Sequence, residues 1–285
     1  MEKTMFPRTK VEGISLSRMI IGTNWLMGWS HTSPAADKMI LERHNSKEQK
    51  FSVIQAFLEH GIDTIMGPIS QSPTLLEAID YAQEKTGKTM QLVDTPILNV
   101  EDSAAGRREA QAAIHQSARA SAQLCLIHHS SAEKLVDKQN EQIKRLDDYT
   151  KMIRDAGMVP GLSAHMPELV VYSDAHDYDV QTYIQIYNPM GFMMQVEIET
   201  VASIINSAKK PVMTIKPMAA GRCTPYVGFN FVWNTIRPCD MVTAGCFSAA
   251  EAYEDIEISL AAIERRFPAI GKRSSPNQNQ AAFGK

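Results

Sequence analysis

The chain predicts a (β/α)8 TIM barrel, with eight parallel strands, outer helices and a long first βα loop. Three observations predict it. Short apolar or β-branched runs alternate with helix-period segments from one end of the chain to the other, the pattern of parallel strands joined by crossover helices. Eight such pairs can be counted, the number that closes a barrel, and 285 residues is an ordinary length for one. The first strand is not followed by the glycine-rich GxGxxG turn of an open dinucleotide-binding sheet.

Each element follows from its local pattern. "RMIIGTNWL" (18 to 26) reads as strand one. After a polar insertion, "KEQKFSVIQAFLEHG" places Phe51, Ile54, Phe57 and Leu58 on one helical face and stops at Gly61. "IDTIMGP" is strand two, and "SPTLLEAIDYAQEKTG" is a helix with a Ser72-Pro73 start and a Gly87 stop. "TMQLVDTPI" and "GRREAQAAIHQSARAS" repeat the unit, and "LCLIHH" followed by "NEQIKRLDDYTKMIRDAG" repeats it again. Strand five is "MVPGLSAH", with a short helix near "PELVVYSDA"; strand six is "YIQIYNP", with "EIETVASIINSAKK". "PVMTIKP" with "GFNFVWNTIR" and "DMVTAGCF" with "SAAEAYEDIEISLAAIERR" complete the set. No linker divides the chain, so residues 1–270 are expected as a single (β/α)8 barrel domain. The polar "GKRSSPNQNQAAFGK" (271–285) is expected as a flexible C-terminal tail.

Composition narrows the partners. The net charge is −3 and the basic residues are scattered among the acidic ones, so no basic face marks nucleic acid or an anionic membrane as a partner. A small-molecule substrate is expected, and a homo-oligomer remains open. The N-terminus lacks a long apolar segment and no run of about 18 apolar residues exists, which points to a cytoplasmic protein. Cys125, Cys223, Cys239 and Cys246 show no CxxC spacing and read as reduced thiols.

In this architecture the chemistry sits where strands run out into βα loops, so polar residues ending apolar strands are the candidates. Strand one leads to Asn24 and Trp25, strand two to Asp63, strand three to Asp94, strand four to His128 and His129, strand five to Ser163 and His165, strand six to Gln185 and Asn188, and strand seven to Lys216. Successive strand residues point to opposite faces, so regular strand geometry turns only one of His128 and His129 toward the axis; His128 is taken as that one. Lys216, after "PVMTI" and before proline, is expected to be partly desolvated, which lowers an amine's pKa. It suits a Schiff-base nucleophile or proton donor, or else an ion pair with Asp63 or Asp94. The stretch from Met27 to Lys50 is long for a βα loop and is expected to cover the mouth, with His31 and His44 either touching a ligand or, as is more frequent for loop histidines, solvated.

Seven short pieces fall in the order seen in the aldo-keto reductase superfamily: "GISLSRMIIGTNW", "GIDTI", "LIHH", "GLSAH", "QIYNPMG", "KPMAAGR" and "GCFSAAEAYEDI", spread over residues 13 to 266. The chain resembles a divergent member of that superfamily. The resemblance implies the same barrel, NADP as cofactor, and hydride transfer to a carbonyl with a tyrosine as general acid beside an aspartate, a lysine and a histidine. Asp63 and His128 stand at the matched aspartate and histidine positions. No tyrosine follows Asp63 in "TIMGPISQS", and Asp94 stands where the lysine is expected. Of the implied cofactor contacts, Gln185 matches, the strand-five Ser-Asn becomes Ser163-Ala164, the strand-seven aromatic becomes Ile215, and "CFSAAEA" offers no basic residue for the adenosine phosphate.

The catalytic set is therefore His128, Lys216, Asp63 and Asp94, with Asn24, Trp25, His165, Gln185, Asn188 and Arg222 as substrate-binding residues. Acids and bases without a hydride carrier suit proton abstraction beside a carbonyl, as an isomerase, epimerase or lyase performs on a sugar or sugar acid. A divalent metal on His128, His165 and Asp63 is one version of that reading. The alternatives are an NAD(P)H-dependent oxidoreductase with an altered tetrad and a non-catalytic carbohydrate-binding barrel.

Overall fold

A computed structural model describes residues 4–271. Eight parallel strands close into a barrel: β1 (Met19–Gly22), β2 (Thr64–Gly67), β3 (Gln91–Asp94), β4 (Leu124–Ile127), β5 (Val159–Ala164), β6 (Tyr183–Ile186), β7 (Val212–Ile215) and β8 (Met241–Ala244). They follow one another in chain order, β8 pairs with β1, and every neighbouring pair is parallel. The fold is thus the (β/α)8 TIM barrel expected.

Eight helices pack outside: α1 (Lys47–Leu58), α2 (Pro73–Thr86), α3 (Ala104–Arg119), α4 (Leu146–Asp155), α5 (Glu168–Ala175), α6 (Ile198–Ser207), α7 (Pro225–Thr235) and α8 (Ala249–Glu264). Several begin on hydroxyl caps. Ser46, Ser103, Thr224 and Ser248 each accept a first-turn backbone N–H, satisfying a donor that no helical carbonyl can reach. None of the described helices is long and apolar enough to cross a membrane.

Strand alternation divides the core in two. Ile20, Val93, Leu124, Leu126, Ile184, Met213 and Met241 point inward and fill the lower barrel, whereas Ile21, Ile65, Cys125, Tyr183 and Val242 point outward against the helices. The floor is closed by a hairpin absent from the sequence reading, Arg8–Val11 paired antiparallel with Ile14–Ser17, which inserts Val11 and Leu16 into the inner cluster. Its turn is Glu12-Gly13, with φ of +46° and +84°, the paired positive values a two-residue turn requires.

Three boundaries differ from expectation. β1 ends at Gly22, and Asn24–Met27 turn into a short helix. The helix expected over 140–157 begins at Leu146, because Asp137 accepts the N–H groups of Gln139 and Asn140 and folds the preceding residues into a small ribbon, Val136–Asp137 with Gln142–Ile143. The long first βα loop carries its own helix, Pro34–Arg43, capped by Ser33. Of the expected tail, all but Gly271 lies outside the described residues.

Candidate functional site

A cavity of about 1120 Å³ opens at the carboxyl end of the barrel. Met66, Ile184 and Ile215 belong to its lining, and the first βα loop covers it with Trp29, Ser30, His31, Leu41 and His44. The loop histidines are therefore part of the wall.

His128 and His129 both line the cavity. Alternation allows only one to face inward, but β4 ends at Ile127 and His129 begins a helical turn, His129–Ala132, so the rule stops applying where the doublet starts. The His128 ring accepts the Ser130 N–H and caps that turn. The His129 ring lies 4.3 Å from that of His128 and stacks on that of His165 at 3.7 Å with an 18° tilt. Burial, then the neighbouring His129, holds His128 down at about 4. Burial, then His129, Lys216, His128 and His31, holds His165 down at about 3. His129 is lowered as well, by burial against the opposing pull of Glu133. At neutral pH these rings are uncharged bases.

Lys216 stands across from them at the end of β7. Among the described residues its ammonium has no hydrogen-bond or ion-pair partner, and burial alone lowers its pKa to about 8. Neither Asp63 nor Asp94 neutralises it. Its backbone is left-handed at φ +59°, and Ala219 and Ala220 in the same loop also have positive φ. Non-glycine residues in that region are strained, and such strain gathers at ligand-binding loops. Arg222 completes this wall, its guanidinium 3.8 Å from the centre of the Phe192 ring and donating to the Ala219 carbonyl.

The remaining expected residues divide. Asn24, Trp25 and His165 line the cavity; the Asn24 amide is 2.8 Å from Nε2 of His31, and the Trp25 ring meets Phe247 edge-on. Asp63 does not reach it. β2 begins after Asp63, which places that carboxylate at the amino end of the barrel, 3.0 Å from Arg8 of the floor hairpin. The carboxyl end of β2 carries Met66 and Gly67 instead; a Cβ on Gly67 would lie 1.8 Å from Oγ1 of Thr23, so no side chain fits there. Asp63→Asn is accordingly expected to lower stability by about 1 kcal/mol, as a half-exposed ion pair does, in a denaturant titration, and to leave reactions in the cavity unchanged. Asp94 is buried on the outer face of β3, opposite Cys125, and accepts the Ser70 N–H. Gln185 shares the outward parity of Tyr183 and Tyr187 and is buried outside the cavity lining. Asn188 is consumed by its own loop, accepting from Met190 and Phe192 and donating to the Phe192 carbonyl. The metal set of His128, His165 and Asp63 falls with Asp63.

Sequence reasoning passed over Glu133. Its Oε1 accepts the N–H groups of His165 and Met166 and lies 4.0 Å from Nδ1 of His129. The signal was the i,i+4 spacing of His129 and Glu133 directly after a strand. On the β8 side the wall is acidic: Glu251 accepts the Phe247 N–H, and Asp255 is pushed up to about 7 by burial while the Cys246 thiol donates to it.

No protein-family model matches the chain, nor does any curated protein. Solved structures do. A Pseudomonas aeruginosa protein assigned to the aldo-keto reductases superposes with a TM-score of 0.66 at 13% identity, over 92% of this chain and 98% of that one. The glycerol dehydrogenase of Gluconobacter oxydans gives 0.58 at 13%, over 98% and 99%. An aldo-keto reductase of Klebsiella pneumoniae, solved in complex with NADPH, gives 0.55 at 13%, over 94% and 92%. At such identities the likeness is one of fold: the chain shares the closed eight-stranded barrel of these proteins.

The residues present do not fit the NADP that the sequence resemblance to the aldo-keto reductases implies. No tyrosine is among the residues lining the cavity, Ile215 offers no ring to stack on nicotinamide, and Gln185 faces the helices. The loop after β8 meets the cavity with Glu251 and Asp255 rather than a phosphate clamp, and the Lys50 ammonium in the cavity lining is engaged by the His44 carbonyl.

Proposed function

We propose that the protein is an enzyme of isomerase, epimerase or lyase type, acting by amine and imidazole acid/base chemistry on a small polyhydroxylated carbonyl compound, with sugar acids favoured over neutral sugars. The observation that carries this reading is Lys216, a half-buried amine facing a cavity without a carboxylate partner, together with three imidazoles lining the same cavity. A desolvated amine near pKa 8 is a nucleophile at neutral pH. Its lone pair adds to a carbonyl carbon, the carbonyl oxygen takes up protons and leaves as water, and the resulting iminium withdraws electrons from the adjacent carbon. An imidazole then removes the proton on that carbon, or a hydroxyl proton whose loss breaks the next carbon–carbon bond. Re-protonation and hydrolysis return Lys216 to its starting state. Arg222 and the ammonium form of Lys216 favour a carboxylate on the substrate, and Trp25 offers a face for its carbon skeleton.

The test is trapping. Borohydride added to protein incubated with pyruvate, glyoxylate or a 2-keto sugar acid should leave one reduced adduct, mapped by mass spectrometry to the peptide containing Lys216. Labelling spread evenly over surface lysines, or none at all, would overturn the reading. The second reading, a nicotinamide-dependent reductase, is supported by the fold likeness and separates cheaply: saturable NADPH binding to the untreated protein would favour it.

A further inference from the structure

We propose that His129, Glu133 and His165 form a binding site for one first-row divalent cation, of the zinc or cobalt class, opening on the cavity. The three offer two imidazole nitrogens and a carboxylate oxygen within 4.8 Å of one another. Donors around zinc sit roughly 3.4 Å apart at bond lengths near 2.1 Å, so the His129 and His165 rings turn out of their 18° stack to bring both lone pairs onto one ion. The chain assembles the site from two neighbouring strands: His129 and Glu133 lie one turn apart just after β4, and His165 follows β5, which pairs with β4. The carboxylate is already oriented, its Oε1 fixed by the N–H groups of His165 and Met166. Hydrogen-bonded carboxylates of that kind are what metal sites use to hold their ligands in place.

The openness of the site gives it a use. His129 and His165 line the cavity while Glu133 stands behind them, so three protein ligands would leave further positions on the cavity side for an oxygen of a bound molecule. A cation there polarises a carbonyl or hydroxyl oxygen as a Lewis acid. Two nitrogens and one oxygen suit zinc, cobalt or iron better than magnesium or calcium, which prefer oxygen alone. Ion binding needs neither a carbonyl nor a free lysine, and with His129 and His165 on the ion His128 is left as the free imidazole for the base role.

The full chain, purified without a histidine tag and stripped with chelator, is titrated with Co²⁺ while the visible d–d absorption is followed, and then with Zn²⁺ to displace it. One saturating equivalent is expected. His129→Ala and Glu133→Gln are each expected to weaken binding by at least roughly 100-fold, since losing a ligand costs no less than losing a hydrogen-bond partner behind one, with circular dichroism confirming the fold. Should either variant fail to fold, His165→Asn takes its place. Absence of a saturable cobalt spectrum, or a spectrum unchanged in His129→Ala, would overturn the proposal. Borohydride trapping at Lys216, run in chelator, reads the amine chemistry separately, so failure of one leaves the other standing.

Discussion

Lys216→Arg is expected to abolish borohydride-trapped adduct, a loss of at least roughly 10³-fold, because the guanidinium keeps the charge and has no nucleophilic lone pair at any accessible pH. The wild-type rate should climb with pH and level off above about 8, following the free amine. At pH 7 about a tenth of Lys216 is unprotonated, against about three in ten thousand for a lysine at its ordinary value. Lys216→Met separates reactivity from stability, since the two should move in opposite directions. The folded pKa of about 8 lies below the ordinary 10.5, so the unfolded chain binds the proton more tightly. The penalty is fully present below pH 8 and is relieved as pH rises from 8 toward 10.5. Removing the amine should therefore stabilise the protein at pH 7 by about 1–2 kcal/mol, after discounting for partial solvent access. A methionine variant that is less stable than wild type at pH 7, or that still traps substrate, would remove Lys216 from the centre of the proposed chemistry.

How far the sequence showed the site depended on where each strand stops. Alternation identified all eight strands, because an apolar run between a helix stop and a turn has few other uses. It said little about which end of a run is which. "IDTIMGP" is short and apolar in the middle, and Asp63 at its start looked equivalent to a residue at its end. The Arg8 that fixes Asp63 at the floor is 55 positions earlier, in a hairpin whose four-residue strands give little pattern of their own. Asp94 and Gln185 were near the right end and on the wrong face, which only the register settles. Lys216 was legible because a lysine closing an apolar strand has no mundane place to go except an ion pair, and only coordinates show that the ion pair is absent. The second histidine of the doublet was lost to a rule applied one residue too far, and Glu133 went with it, since its meaning depends on His129 facing inward.

The histidine cluster should make the metal-free protein sensitive to mild acid, and the sign follows from the shifts. His128 near 4 and His165 near 3 are weaker bases in the folded chain than an ordinary histidine at 6.5, so the unfolded chain takes up protons first as pH falls. Their neutral form supports the fold fully above pH 6.5, and that support drains away between 6.5 and the folded values. Converted without correction, the two shifts amount to about 8 kcal/mol. The rings repel one another, so part of each shift is the same repulsion counted twice, and both rings keep some solvent contact; about 3–4 kcal/mol is the expected loss. Chemical denaturation in chelator from pH 7 to 4.5 is compared between wild type and His165→Asn, because Asp255, raised to about 7, gains stability as pH falls through the same window. His165→Asn should reduce the loss of stability per pH unit near pH 5 by about one proton. Equal slopes in wild type and His165→Asn would mean that the His165 imidazole accepts its proton in place, and the cavity would then hold a cationic ring at pH 5 rather than the uncharged base on which the proposed chemistry draws.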